Sequence, residues 1–123
     1  MTRFAHKNPP PPADVCLLLR AHAEASWLSN EVVPVLRELE RDDRSQSQAE
    51  AAFAYLEVLW KEALDRASDT DAAREKLNAT APNGNHRTHS RARRYDAAVR
   101  RLRDTVARRM EQLMEAAPAD AAP

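Results

Sequence analysis

The sequence predicts an all-α protein, and three observations carry this prediction. Apolar residues recur in steps of three and four along most of the 123-residue chain, which is the spacing of amphipathic helices. The alternation of apolar and polar residues that marks half-buried strands occurs nowhere. The chain has one glycine but 24 alanines, a composition that favours helices over the turns of sheet folds. We expect an antiparallel helical bundle of three long helices, formed by a single domain over residues 13–117.

The two ends of the chain are expected to lie outside this bundle. Residues 9–12 are four consecutive prolines, which lack backbone N–H donors. Residues 1–12 are therefore predicted to form a proline-rich extended arm, and Asp14 follows it at the position of an N-cap. Residues 118–123, which begin and end with proline, are predicted to be a frayed tail.

The first helix has a heptad pattern that contains two polar interruptions. Its predicted buried positions are Val15, Leu18, His22, Ala25, Ser29, Val32, Leu36 and Leu39. Pro34 lies inside this pattern and removes one backbone donor. We therefore expect the first helix to be kinked at Pro34 or to break near residues 30–33.

The second helix is predicted to begin at Ser47, which has capping-box spacing to Glu50. Its predicted buried positions are Ala49, Phe53, Leu56, Trp60, Ala63 and Ala67. Residues 69–71 have the composition of a new N-cap, so the sequence allows two alternatives. Residues 68–80 form either a short fourth helix or the end of the second one.

The last helix follows the strongest predicted turn, Pro-Asn-Gly-Asn at residues 82–85. It is predicted to run from about residue 90 to residue 117. One stripe of this helix is apolar and is expected to be buried. The stripe consists of Tyr95, Val99, Leu102, Val106, Met110 and Leu113.

Composition excludes several classes of function. One glycine leaves no residues for a glycine-rich phosphate loop, and no cofactor is expected. Cys16 is the single cysteine, which fits a reducing, cytoplasmic location. The longest apolar run, residues 15–19, is too short to cross a bilayer, so no membrane partner is expected. The four histidines lack the spacing of metal ligands, and no metal site is predicted.

One polar group in the first helix is a candidate for chemistry. His22, Ser26 and Ser29 are spaced i, i+4, i+7 and are predicted to form a buried polar cluster on one helix face. A histidine beside hydroxyls in a dry interior can act as a general base. Since no acid shares their face to orient the imidazole, the favoured interpretation is a structural histidine with hydrogen bonds.

The zero net charge of the chain hides a segregation of charge. Residues 1–81 carry 10 bases and 14 acids, whereas residues 82–123 carry 9 bases and 5 acids. All nine of these later bases are arginine, which suits bidentate recognition of phosphate or carboxylate. The candidate residues for binding an anion or a partner are Arg87, Arg91, Arg93, Arg94, Arg100, Arg101 and Arg108.

Two interpretations of the arginine face are open. Asp96 is spaced four residues from Arg100, and Asp104 is spaced four residues from both Arg100 and Arg108. Such pairs would leave a solvated or partner-facing surface that neutralises itself in part. The other interpretation is that the arginines bind an external anion, either nucleic acid phosphates or a small anionic ligand.

Two clusters of charged residues lie at helix ends where the helix macrodipole has the same sign as the cluster, which is unfavourable. The groups concerned are Arg91, Arg93 and Arg94 near one end and Glu38, Glu40, Asp42 and Asp43 near another. If a short fourth helix turns the chain back, these two clusters meet. If residues 47–80 form one helix, the clusters lie at opposite poles, and each is free to recruit a partner.

The leading functional hypothesis is a small non-catalytic protein that acts in protein–protein interaction or regulation. Self-association as a homodimer is part of this hypothesis, because an alanine-rich core buries little apolar area. The alternative is a nucleic-acid-binding module that uses the arginine-rich last helix. A lesser alternative is a small-ligand-binding or enzymatic bundle built around His22.

Overall fold

The computed structural model describes residues 11–41, 45–80 and 86–115, and it is almost entirely helical over these ranges. The predicted all-α class is confirmed, since the described ranges contain no strand. No helix in them combines the length and the hydropathy that a membrane span requires. The predicted turn at residues 82–85, the tail, residues 1–10 of the arm, and Asp42 and Asp43 lie outside the described residues.

The helices are α1 (Ala13–Trp27), α2 (Val33–Leu39), α3 (Gln46–Ala79) and α4 (His86–Glu115). A π-helical segment, Leu28–Val32, joins α1 to α2 without a break. Residues 68–79 belong to α3, so the alternative of a short separate helix is wrong. The predicted N-cap at Asp14 is also wrong, because Pro12 precedes α1 and Asp14 lies in its first turn.

The start of α3 is fixed by a capping box. The Ser45 hydroxyl accepts a hydrogen bond from the Gln48 backbone N–H at 3.2 Å, and the Gln48 side chain accepts one from the Ser45 N–H at 2.8 Å. Each contact satisfies a donor that the first helical turn leaves unpaired. A capping box therefore opens this helix, two residues before the predicted pair of Ser47 and Glu50.

The core residues establish the directions of the helices. One buried cluster joins Leu17 of α1, Leu77 of α3 and Ala92 of α4. Leu17 and Ala92 lie near the start of their helices, whereas Leu77 lies near the end of α3. The other cluster joins the opposite ends. Its buried residues are Leu28, Val32, Leu36, Leu39, Leu56, Leu59, Val106 and Met110. The helix α3 therefore runs opposite to α1 and α4, and the Arg-rich start of α4 lies at the far pole from the acidic end of α2.

The π segment determines which face of α1 is buried. Its wide turn is closed by the Val33 N–H, which donates to the Leu28 carbonyl five residues earlier. The buried positions before and after it are Leu17, Ala21, Glu24, Leu28, Val32, Leu36 and Leu39. Three successive steps of four exceed the 3.6 residues of an α-helical turn, and the π turn absorbs the difference.

The predicted buried face of the first helix is therefore only half right. Val32, Leu36 and Leu39 are buried as expected, but the pattern before the π segment is wrong by one position. The prediction assumed a step of three between residues 29 and 32, whereas the chain makes a step of four from Leu28. A kink at Pro34 stays a prediction.

Candidate interaction site

A buried network of charged side chains lies between the three long helical stretches. Glu24 of α1 is only 2% exposed, and it accepts two hydrogen bonds from Arg103 of α4. The Arg103 Nε donates to Glu24 Oε2 at 2.6 Å, and Nη2 donates to Oε1 at 2.8 Å. This bidentate geometry is the strongest form of arginine–carboxylate pairing. It ties α1 to α4 across 79 positions of the sequence.

The network continues through α3. Arg103 Nη1 also donates to Asp71 Oδ1 at 3.1 Å, and Arg74 Nη2 donates to the same oxygen at 2.6 Å. Arg74 Nε donates to Asp96 Oδ2 at 2.8 Å, and Asp96 is 3% exposed. Each buried carboxylate therefore has an arginine partner, which offsets the cost of removing it from water.

Protonation equilibria reflect these contacts. Burial by itself would raise the pKa of Asp71, but the hydrogen bonds from Arg74 and Arg103 outweigh it, so the pKa lies below its ordinary value. The hydrogen bond to Glu24 raises the pKa of Arg103 despite burial of the guanidinium. The hydrogen bond to Asp96 likewise raises the pKa of Arg74. All these shifts favour the charged forms.

The shift at Asp71 predicts a pH dependence of stability. The pKa of Asp71 is lower in the folded than in the unfolded chain, where it has its ordinary value of 3.8. Asp71 therefore stabilises the fold at pH values above 3.8, and this contribution is lost as the pH falls through the pKa of the folded chain. We expect less than about 1 kcal/mol, because the side chain is partly exposed to solvent. Urea denaturation of the Asp71→Asn variant should show a smaller loss of stability between pH 5 and pH 2 than the wild type, and an equal loss would contradict the assignment.

An apolar groove lies beside this network. Both α3 and α4 pack closely against α1, but they contact each other sparsely, so a groove of about 260 Å³ opens between them. Glu24 and Arg103 lie in its floor. Its apolar lining is formed by Leu28, Trp60, Leu64, Val106, Ala107 and Met110. Leu64 is 57% exposed, which makes the α3 wall of the groove an apolar surface open to solvent.

The predicted cluster of His22, Ser26 and Ser29 is not buried. All three residues are exposed, because the buried face of α1 is displaced by one position and contains Ala21 and Glu24 instead. The His22 ring contacts the Tyr95 ring with centroids 5.8 Å apart. The prediction of a buried polar site is therefore wrong.

The predicted arginine candidates lie mainly on the surface of α4. The exposed ones are Arg87, Arg91, Arg94, Arg100, Arg101 and Arg108. Arg93 is half-buried, and its Nε donates to His89 Nε2 at 3.4 Å. Arg100 approaches Asp96 only to 3.9 Å, and Asp104 makes no ion pair with any residue of the described ranges. Two of the three expected neutralising pairs are therefore missing, and the third is weak.

The acidic end of α2 is neutralised locally. Glu38 pairs with Arg41 at 2.8 Å, and Glu40 pairs with Arg109 near the end of α4. The Arg-rich start of α4 lies at the opposite pole. This placement follows the alternative in which the second helix is continuous, so the two clusters do not neutralise each other.

Sequence reasoning missed Glu24 and Arg103. Both carry a signal in retrospect, because each is a charged residue within an otherwise apolar helix face. Arg103 lies four residues after Val99 and three before Val106, and Glu24 lies four residues before Leu28. A charge on an apolar helix face needs a partner of opposite charge when that face is buried. Glu24 and Arg103 therefore indicate that the two apolar faces pack together and that the two side chains pair.

Comparison of the chain with protein-family models, curated proteins and solved structures gives no match. Among the side chains that the structure describes, no group of three or more His, Cys, Asp or Glu is arranged to hold a metal ion. The groove, the charged network and the surface of α4 are thus the features from which a function can be inferred.

Proposed function

We propose that this chain is a non-catalytic helical interaction protein that acts as a homodimer. In each dimer, α3 of one copy lies in the groove between α3 and α4 of the other. The observation that carries the proposal is the open apolar groove with Leu64 on its wall. Covering the exposed part of Leu64 stabilises a complex by about 1 to 2 kcal/mol per copy. Burial of other apolar surface between the two copies adds to this.

Charge complementarity favours a second copy as the occupant. The α4 side of the groove carries two carboxylates, Asp104 and Glu111, and α3 carries the exposed Lys61 about one helical turn before Leu64. A two-fold axis that lays α3 of one copy in the groove of the other therefore brings a lysine to these carboxylates twice. The zero net charge of the chain imposes no overall repulsion between copies.

Two further observations support the absence of catalysis in this proposal. The buried carboxylates Glu24 and Asp96 are committed to arginine partners within the core. His22, which was the candidate base, is exposed and contacts an aromatic ring. A reducing, cytoplasmic location is part of the proposal, since Cys16 is a free thiol.

Replacing Leu64 with aspartate is expected to dissociate the dimer. A charge at this position has no partner inside the groove and must be desolvated, and each dimer contains the substitution twice. We expect the dissociation constant to rise by about 100-fold or more. Light scattering coupled to size-exclusion chromatography over a concentration series measures the change, with the wild type at twice the chain mass of 13.8 kDa.

The matched control is Val58→Asp. Val58 lies on the same helix, is 61% exposed and does not line the groove, so this variant should dimerise like the wild type. The proposal fails if the wild type is monomeric at every concentration tested. It also fails if the two variants weaken the dimer equally.

A further inference from the structure

The solvent face of α4 carries a row of arginines at a regular interval. Arg87, Arg94, Arg101 and Arg108 are seven residues apart, and all four are exposed. Seven residues make almost two helical turns, so the side chains lie nearly in line, about 10 Å apart along the axis. We call these four residues the arginine row, which extends over about 32 Å of one helix.

Most of the arginine row is not neutralised. Arg94, Arg101 and Arg108 make no ion pair or side-chain hydrogen bond within the part of the chain that the structure describes. Asp104, which is three residues from Arg101 and four from Arg108, pairs with neither of them. Other arginines of α4 pair with the first part of the chain: Arg103 binds Glu24 of α1, and Arg109 binds Glu40 at the end of α2. The charge is therefore divided between an inner set, which holds the fold, and an outer set, which faces solvent.

The residues around the arginine row fit phosphate better than protein. Ser90, Thr105 and Gln112 are exposed on the same face and provide neutral hydrogen-bond donors of the kind that contact phosphates. Ala98 is small and allows a backbone to approach the helix. No large apolar side chain of α4 is strongly exposed, so this face lacks the anchor that a protein interface requires.

We propose that the solvent face of α4 binds the phosphate backbone of a double-stranded nucleic acid. The regular spacing of the arginine row suits the regular array of phosphates on a duplex, and 32 Å is close to one turn of B-form DNA. Single strands are the poorer ligand, because Tyr95, the one aromatic residue of α4 apart from histidine, packs against His22 and cannot stack on bases. The inference is independent of dimer formation, since Arg94, Arg101 and Arg108 do not line the groove.

A salt titration of duplex binding tests the inference. We use a 20-base-pair DNA duplex, an RNA duplex of the same sequence and the single strands, and we measure fluorescence anisotropy. Four phosphate contacts predict that log K falls with log salt with a slope of about −3.6 for DNA. The DNA and RNA arms distinguish the two duplexes, and binding of either one supports the inference.

The test variant is Arg94→Gln/Arg101→Gln/Arg108→Gln. The control variant, Arg20→Gln/Arg37→Gln/Lys76→Gln, removes the same charge from exposed positions on α1, α2 and α3. At 0.1 M salt, the test variant should bind duplex about 100-fold more weakly and with a slope smaller by about 2.7, whereas the control should change little. Circular dichroism of both variants shows whether the helical content is kept.

Four results would overturn the inference. They are no complex with either duplex at low salt, an affinity that does not depend on salt, an equal loss of affinity in the control variant, or tighter binding of polyglutamate than of duplex. The last result would assign the face to an acidic protein instead.

Discussion

Replacing Arg103 with methionine lowers the free energy of unfolding by about 3 to 5 kcal/mol, because it leaves a buried carboxylate without its partner. The Glu24 side chain is 2% exposed, and its carboxylate accepts two hydrogen bonds from Arg103. Methionine has a similar shape but no charge, so the variant tests the ion pair rather than the packing. Urea denaturation at pH 7, followed by circular dichroism, measures the loss. A domain of this size has a total stability of about 5 to 15 kcal/mol, so the variant is partly unfolded at the lower limit.

Two controls make this result specific. Arg109→Met breaks the ion pair with Glu40 at a site where the two side chains are 47% and 39% exposed, so it should cost less than about 1 kcal/mol. The double variant Glu24→Leu/Arg103→Met replaces both charges with apolar groups and should recover most of the stability. If Arg103→Met costs no more than Arg109→Met, the buried network does not hold the helices together.

Deleting one residue is expected to cost much less stability inside the π segment than outside it. Deletion of Ser29 shortens the step from Leu28 to Val32 to three residues, so that every buried position from Leu17 to Leu39 fits a regular α-helix. Deletion of Ala23 instead rotates the first half of α1 by about 100° and moves Leu17 and Ala21 to solvent. We expect a loss of less than about 1 kcal/mol for the first deletion and of more than about 4 kcal/mol for the second.

Both deletions are made in a Pro34→Ala background. A proline inside a continuous α-helix would otherwise cost about 3 kcal/mol and obscure the comparison. Thermal unfolding and the free energy of unfolding in urea are measured for the three chains. Equal losses for the two deletions would show that the buried face of α1 does not depend on the π segment.

The sequence predicts much of this fold because its helices are amphipathic. Val99, Val106 and Met110 of the last helix are buried as the period of 3.6 residues requires. The first helix was harder, since alanines at residues 21, 23 and 25 make neighbouring helix faces almost equally apolar. A π turn cannot be seen from periodicity, which assumes one pitch along the whole helix.

The charged network could not be predicted from local spacing. The spacing of four residues predicts a pair of Asp96 with Arg100, but the main partner of Asp96 is Arg74 on another helix. Glu24 and Arg103 are 79 positions apart, so their pairing depends on the way in which α1 and α4 pack. The same reasoning explains why Asp104 does not neutralise the arginines near it: exposed pairs four residues apart are worth only about 0.3 to 0.5 kcal/mol and need not form.

Cross-linking of isotopically mixed protein tests the proposed dimer most directly. Unlabelled and heavy-isotope-labelled chains are mixed in equal amounts, allowed to exchange, and treated with a carbodiimide that joins a lysine to a carboxylate in contact with it. We expect cross-links between Lys61 of α3 and the acids of α4, Asp104 or Glu111, in peptide pairs that carry one light and one heavy partner. Cross-links found only within chains of one isotope would contradict it.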